Sequence, residues 1–143
     1  MEPLTDKAGL TQDDGPFTGG CRCGAVRFTA RGRPDRVGLC HCLDCRKHHG
    51  ALVYAAAIFP QQAVSLEGKT RDHAGRHFCP QCGSSVFART DDEIEIHLGA
   101  LDAPDQFKPT YECWTIRRES WLQPVPQARQ YERDRISQGH PKT

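Results

Sequence analysis

No stretch of this 143-residue chain approaches the roughly 18 consecutive apolar residues that a membrane-crossing helix requires. Charge of one sign is not in excess either. Nineteen Lys and Arg stand against 18 Asp and Glu, and the formal net charge of +1 argues against a general nucleic-acid binder, whose surface is strongly basic. Between Met1 and Pro16 the chain carries Glu2, Asp6, Asp13 and Asp14 and has no apolar core, so this stretch does not read as a secretory signal. No internal repeat divides the sequence. These absences leave one domain in a cytosolic setting as the expectation, with a core of its own: the hydrophobic fraction of 37% is too high for disorder throughout. The sequence is silent on oligomeric state.

Cysteine, by contrast, is abundant. Eight thiols fall as Cys21-x-Cys23, Cys40-x-Cys42-x-x-Cys45, Cys79-x-x-Cys82 and a lone Cys113. A disulfide framework suits a short secreted chain; this one is longer, lacks a signal and groups its thiols at metal-ligand spacing, which favours zinc. Cys79-Pro80-Gln81-Cys82-Gly83 wraps a metal in a tight turn, and a closed tetrahedron needs a second pair. Cys21 and Cys23 are the available pair, placed on an extended strand where residues i and i+2 share a face. The competing reading, a redox-active Cys79/Cys82 pair, belongs on a strand-to-helix turn, whereas Gly83-Ser84-Ser85-Val86-Phe87 reads as strand. This leaves Cys40, Cys42 and Cys45 as three ligands with an open position, the pattern of a reactive rather than a structural zinc. Three thiolates make the ion a weak Lewis acid, better suited to holding or polarising a sulfur- or aldehyde-bearing substrate than to hydrolysis. Arg46 and Lys47 either steer a carboxylate-bearing ligand or are plain surface charge. Cys113 is either the fourth ligand, which would close the site, or a small buried hydrophobe beside Trp114.

The rest of the pattern predicts a mainly β fold with little helix. Residues 1–16 read as a flexible lead, 17–122 as the zinc domain, and 123–143, rich in Pro, Gln and Arg, as a loose tail. Phe17 to Ala30 alternates as one strand, with Val26 and Phe28 on the inner face. Short strands are expected over Arg36–Leu39, Val64–Leu66, Val86–Ala88 and Tyr111–Ile116. Leu43–Lys47 suits one helical turn, and Ala51–Phe59 a buried strand, although a core helix fits it as well. In Glu93–Leu98 the residues Ile94, Ile96 and Leu98 point inward and the others outward. Thr70–His77 is polar, and Trp121 is a candidate late anchor on the core.

Three segments together resemble a known family. Gly19-Gly20-Cys21-Arg22-Cys23-Gly24-Ala25-Val26-Arg27-Phe28, Cys40-His41-Cys42-Leu43-Asp44-Cys45-Arg46-Lys47 and Arg76-His77-Phe78-Cys79-Pro80-Gln81-Cys82-Gly83 are similar to the glutathione-dependent formaldehyde-activating enzymes, a family that also includes centromere protein V. Gly99-Ala100-Leu101-Asp102 and Trp121 resemble its later landmarks. Where members commonly show His followed by an apolar and an aromatic residue, this chain reads Glu112-Cys113-Trp114. The resemblance implies a β-tent fold and two zinc ions: a structural ion on Cys21, Cys23, Cys79 and Cys82, and a catalytic ion on Cys40, Cys42 and Cys45. It further implies a carbon–sulfur lyase acting on an adduct between an aldehyde and a low-molecular-weight thiol such as glutathione. The alternative is a zinc-stabilised binding module in which both metals are structural and Cys113 closes the second site; a weaker third is a reductase using Cys42 or Cys45 as a redox thiol.

Overall fold

The computed structural model describes residues 14–135, and the chain divides into two compact units, Met1–Arg36 with Ala57–Phe107 and Val37–Ala56 with Lys108–Thr143. Most of the expected N-terminal lead and the last eight residues of the expected tail lie outside the described residues. As expected, the elements are mostly strands, and a single α-helix occurs among the described residues.

The first unit starts with a hairpin. Strands β1 (Phe17–Gly20) and β2 (Arg27–Ala30) pair antiparallel with Phe17 opposite Ala30 and Gly20 opposite Arg27. The six residues between them turn, closed by the Cys21 N–H donating to the Val26 carbonyl at 3.0 Å. Cys21 and Cys23 thus sit on the turn and not on the single extended strand that alternation suggests. The two arms of a hairpin can keep the same inward alternation as one continuous strand, so periodicity does not distinguish them: Phe17, Val26, Phe28 and Ala30 are all buried. The polar run Thr70–His77 is likewise a hairpin, its first arm exposed throughout and its second half-buried throughout, and so gives no alternation to read.

Strand β2 pairs on its other side with β5 (Val64–Glu67), giving a three-stranded sheet. The unit's other strands are β4 (Tyr54–Pro60), which enters it from the second unit at Ala57, β6 (Arg71–His73), β7 (Arg76–Phe78), β8 (Ser85–Arg89) and β9 (Glu93–His97), ordered β4-β9-β8-β7-β6. Ile94 lies opposite Arg89 and Ile96 opposite Phe87. Ile94, Ile96, Val86, Phe87, Phe28 and Phe59 are fully buried, each side chain contributing about 1.5–3 kcal/mol by leaving water. Phe17 packs its ring on Phe107 at 4.7 Å. The alternation of Ile94 and Ile96 holds, but it stops there. His97 is buried instead of facing solvent, its Nδ1 3.2 Å from the Ser85 hydroxyl, because the chain turns into a 3₁₀ turn at Leu98. Beyond that turn Asp102 ties the connector to the hairpin. Its carboxylate accepts two hydrogen bonds from Arg27, at 2.9 and 2.5 Å, and one from Thr18 at 2.7 Å, while its own N–H donates to the Thr18 carbonyl.

The second unit contains β3 (Arg36–Cys40), which crosses into it from the first unit, helix α1 (Leu43–His49), β10 (Tyr111–Cys113) and β11 (Arg129–Gln130), with β10 parallel to both β3 and β11. Part of the stretch read as a loose tail is therefore a sheet edge. The strand expected from Ala51 begins only at Tyr54, since Ala51 and Leu52 follow the helix end and are exposed. The expected strand to Ile116 stops at Cys113: Trp114 adopts a left-handed conformation (φ 57°) and leads into a 3₁₀ turn. Trp121 is 64% exposed and does not anchor a core, because it falls in the turn closed by Leu122 N–H on the Glu119 carbonyl.

Two outcomes are expected from this packing. A Cβ on Gly19 would lie 2.2 Å from the Ala100 carbonyl oxygen and 2.5 Å from the Phe28 ring, so Gly19→Ala should lose about 1–3 kcal/mol in urea unfolding. At Gly99, where a Cβ meets nothing, Gly99→Ala should stay within about 0.5 kcal/mol. The second concerns acid. Arg27, then Thr18, hold the Asp102 carboxyl at about 2, below its ordinary 3.8. The stabilisation this gives is present above the ordinary value and lost as pH falls toward the lower one. Thermal melts at pH 6 and pH 3 should therefore differ less for Asp102→Asn than for the parent chain.

Candidate metal centres

In the first unit the hairpin tip brings Cys21 and Cys23 to the turn carrying Cys79 and Cys82, and the four sulfurs all lie within 4.8 Å of one another. Two of the separations are 3.6 Å (Cys21–Cys23) and 3.8 Å (Cys23–Cys79). Sulfurs bound at about 2.3 Å in a tetrahedron stand about 3.8 Å apart, so the spacing fits one four-coordinate ion. The local backbone is arranged for anionic sulfur. The Val26 N–H donates to the Cys21 sulfur at 3.2 Å, and the Gln81 and Cys82 N–H groups to the Cys79 sulfur at 3.3 and 3.4 Å. Ser84 bridges the two turns, accepting from the Arg22 N–H while its hydroxyl sits 3.2 Å from the Cys82 sulfur. Its hydroxyl and backbone hold the Cys82 thiol down to about 5. Cys79 and Cys21 are buried, Cys23 and Cys82 exposed.

In the second unit Cys40, Cys42 and Cys45 form a separate group, their sulfurs also within 4.8 Å of one another. Cys40 ends strand β3. Cys42 is the N-cap of α1, its sulfur accepting the Cys45 N–H at 3.3 Å, which is the amide-to-thiolate geometry expected of a helix start. Cys45 is buried one turn in. The Cys45 thiol and burial push the Cys40 thiol up, and burial does the same to Cys42. Three thiols this close resist joint ionisation, and a cation among them removes that resistance. Both groups therefore suit metal ions, with all-sulfur donor sets consistent with zinc.

Cys113, 9% exposed, is not a member of the three-sulfur group, although its backbone lies beside Cys40 in the β3–β10 register and its carbonyl accepts the His41 N–H at 3.0 Å. Arg46 is held by Glu119 at 2.6 Å and by the Arg117 carbonyl at 3.0 Å. Lys47 is exposed; together with Leu43, Arg46, Gly50, Ala51 and Leu52 it lines an open groove of about 370 Å³ on the helix that carries Cys45. His49 stacks on the Tyr54 ring at 4.7 Å.

Sequence reasoning marked Glu112 as a departure from the family pattern but gave it no role. Glu112 is 1% exposed, as is His41, and its Oε1 lies 2.7 Å from the His41 Nε2. The same carboxylate accepts from Arg118 at 3.1 Å, from the Val125 N–H at 2.6 Å and from Gln130 at 3.2 Å. Burial alone would raise this carboxyl; the donors, His41 first among them, outweigh it and hold the group at about 2. An ionised carboxylate only accepts, so the His41 Nε2 is the donor. The available signal was a charged residue where the family resemblance leads one to expect histidine, but nothing in the sequence says what a glutamate there touches.

Helix α1 ends on Gly50 in the left-handed region (φ 62°), with its N–H bonded to the Arg46 carbonyl and open space where a Cβ would stand. Gly50→Ala should thus cost about 1 kcal/mol through backbone strain alone, measured by chemical denaturation of the metal-loaded chain.

A family model described as glutathione-dependent formaldehyde-activating enzyme matches residues 16–117, well over half of the chain. Among solved structures, the crystal structure of a Rhodobacter sphaeroides protein is similar, with 20% identity and a TM-score of 0.48 over 62% of this chain and 90% of that one. With both thiol clusters inside the matched span, this chain belongs to the glutathione-dependent formaldehyde-activating enzyme family.

Proposed function

We propose that this chain is a zinc-dependent carbon–sulfur lyase acting on an adduct between an aldehyde and a low-molecular-weight thiol of the glutathione type. In this reading Cys21, Cys23, Cys79 and Cys82 hold a structural zinc, and Cys40, Cys42 and Cys45 hold a catalytic one. The observation that carries it is the division of the thiols into a group of four and a group of three: the first completes a tetrahedron, the second does not. Family membership supplies the link to glutathione and formaldehyde. The binding-module reading needs a fourth protein ligand at the second site, and the thiol best placed by sequence, Cys113, is not in that group.

When bound, the second zinc would hold the adduct sulfur or polarise its oxygen. In the synthetic direction the thiol sulfur forms a bond to the aldehyde carbon, and the thiol proton ends on the carbinol oxygen; cleavage reverses both movements. The chain's residues contribute position and charge. The Cys45 N–H stabilises the Cys42 sulfur in anionic form. With Arg46 engaged by Glu119, Lys47 is the better-placed cation for a ligand carboxylate lying in the groove over Leu43 and Leu52, and Arg46 keeps the helix attached to the segment around Glu119.

Purified chain should contain two zinc ions by elemental analysis, and Cys42→Ser should retain one of them while losing turnover of S-hydroxymethylglutathione. Full activity in Cys42→Ser with both metals present would sink the proposal. Lys47→Ala should raise KM with little change in kcat if Lys47 only binds the carboxylate.

A further inference from the structure

We propose that Glu112 is a positioning residue for the three-cysteine centre, acting through His41 to hold the Cys40-His41-Cys42 segment in its metal-binding conformation. The proposal rests on the reading that this centre binds metal. Consecutive residues of an extended strand face opposite ways, so at the end of β3 the Cys40 side chain faces one side and the His41 ring the other. The parallel register sets Cys113 beside Cys40 and Glu112 beside Leu39, which brings Glu112 to the His41 side. There the two side chains meet at 2.7 Å, both out of solvent.

The strength of the link comes from what surrounds the carboxylate. Oε1 takes His41 and Arg118, while Oε2 takes the Val125 N–H and Gln130, so all four lone-pair sites of the carboxylate are filled. Glu112 is thereby fixed by its own strand, by Arg118 just beyond it, and by the 125–130 segment. His41 is fixed twice, by its ring on Glu112 and by its N–H on the Cys113 carbonyl. The residue joining the first two thiols of the centre therefore cannot rotate without breaking bonds in a buried network, where unmet partners are costly. The thiols inherit that rigidity through one covalent bond on each side, and ligands held in place before the ion arrives bind it more tightly than ligands that must first be ordered.

The four-cysteine centre of the same chain is the internal control, because it lies in the other unit and its ligands are not among the hydrogen-bond partners of Glu112. The test uses full-length chain loaded with zinc and titrated with a graded chelator, counting zinc retained per chain; the emptied centre is then refilled with cobalt(II) and its thiolate-to-metal absorption recorded. Glu112→Ala and, approached from the other end, His41→Leu should each weaken zinc at the three-cysteine centre about 10–100-fold, the scale for losing an outer partner of a metal site, and should alter its cobalt spectrum. The four-cysteine centre should be unchanged in both. The double variant should be no weaker than the worse single one, since both remove one link. Should Glu112→Ala fail to fold, His41→Leu carries the same readout alone. Zinc affinity within twofold of the parent in the foldable variants, or losses that add in the double variant, would overturn the proposal. If the parent itself retains only one zinc, the catalytic-metal reading falls and takes this one with it; two zincs in the parent with no effect of the variants removes this proposal alone.

Discussion

The parallel register of β3 against β10 is the constraint on which the candidate catalytic centre depends. It sets Cys113 beside Cys40 and Glu112 beside Leu39, and strand alternation does the rest. One face of the strand end receives the Cys40 thiol and the other receives the His41 ring, bonded through Nε2 to a Glu112 carboxylate whose lone-pair sites are all filled. A one-residue slip would exchange the faces, placing a carboxylate on the thiol side and removing the partner of His41. The register is held from outside the strand as well, by β11 on the far edge of β10 and by the Val125 N–H on the Glu112 carboxylate.

The two units are stabilised by different means. The first has an apolar interior of Phe17, Phe28, Phe59, Val86, Phe87, Ile94 and Ile96, and its four thiols lie together where a hairpin tip meets a second turn. In the second, His41 and Glu112 are the most deeply buried side chains. A buried charge of this kind is tolerated only when its partners are complete, and here the carboxylate has four donors. Zinc at the first centre would add folding free energy directly; at the second it would bind to a frame that hydrogen bonds already hold.

Much of the chemistry was legible in the chain. Cys79-x-x-Cys82 and Cys42-x-x-Cys45 close within one turn, so covalent geometry alone brings each pair together, and the division into four and three thiols follows from counting what each turn lacks. The inward positions of Val26, Phe28, Ile94 and Ile96 were legible for the same reason, because period-two alternation is a local property. Where one local pattern fits two structures the reading went astray: Cys21 and Cys23 sit on a turn between hairpin arms that preserve the alternation of a single strand. Trp121, expected to anchor on the core, lies exposed in a turn. Exposure depends on what the rest of the chain leaves uncovered, which side-chain size does not encode.

What the sequence by itself determined, then, is the ligand chemistry: which thiols come in turn-forming pairs, that the fold is mainly β, and the family to which the chain belongs. Tertiary structure alone decided which residues face one another across long separations. Glu112 reaches His41 over 71 positions and Asp102 reaches Arg27 over 75. Cys113 lies beside Cys40 yet outside the three-sulfur group, a fact set by the register of two parallel strands. Short-range spacing is fixed by bond lengths and a few dihedral angles. The partner of a strand is fixed by competition among all the surfaces the chain can bury, and no single segment carries that information.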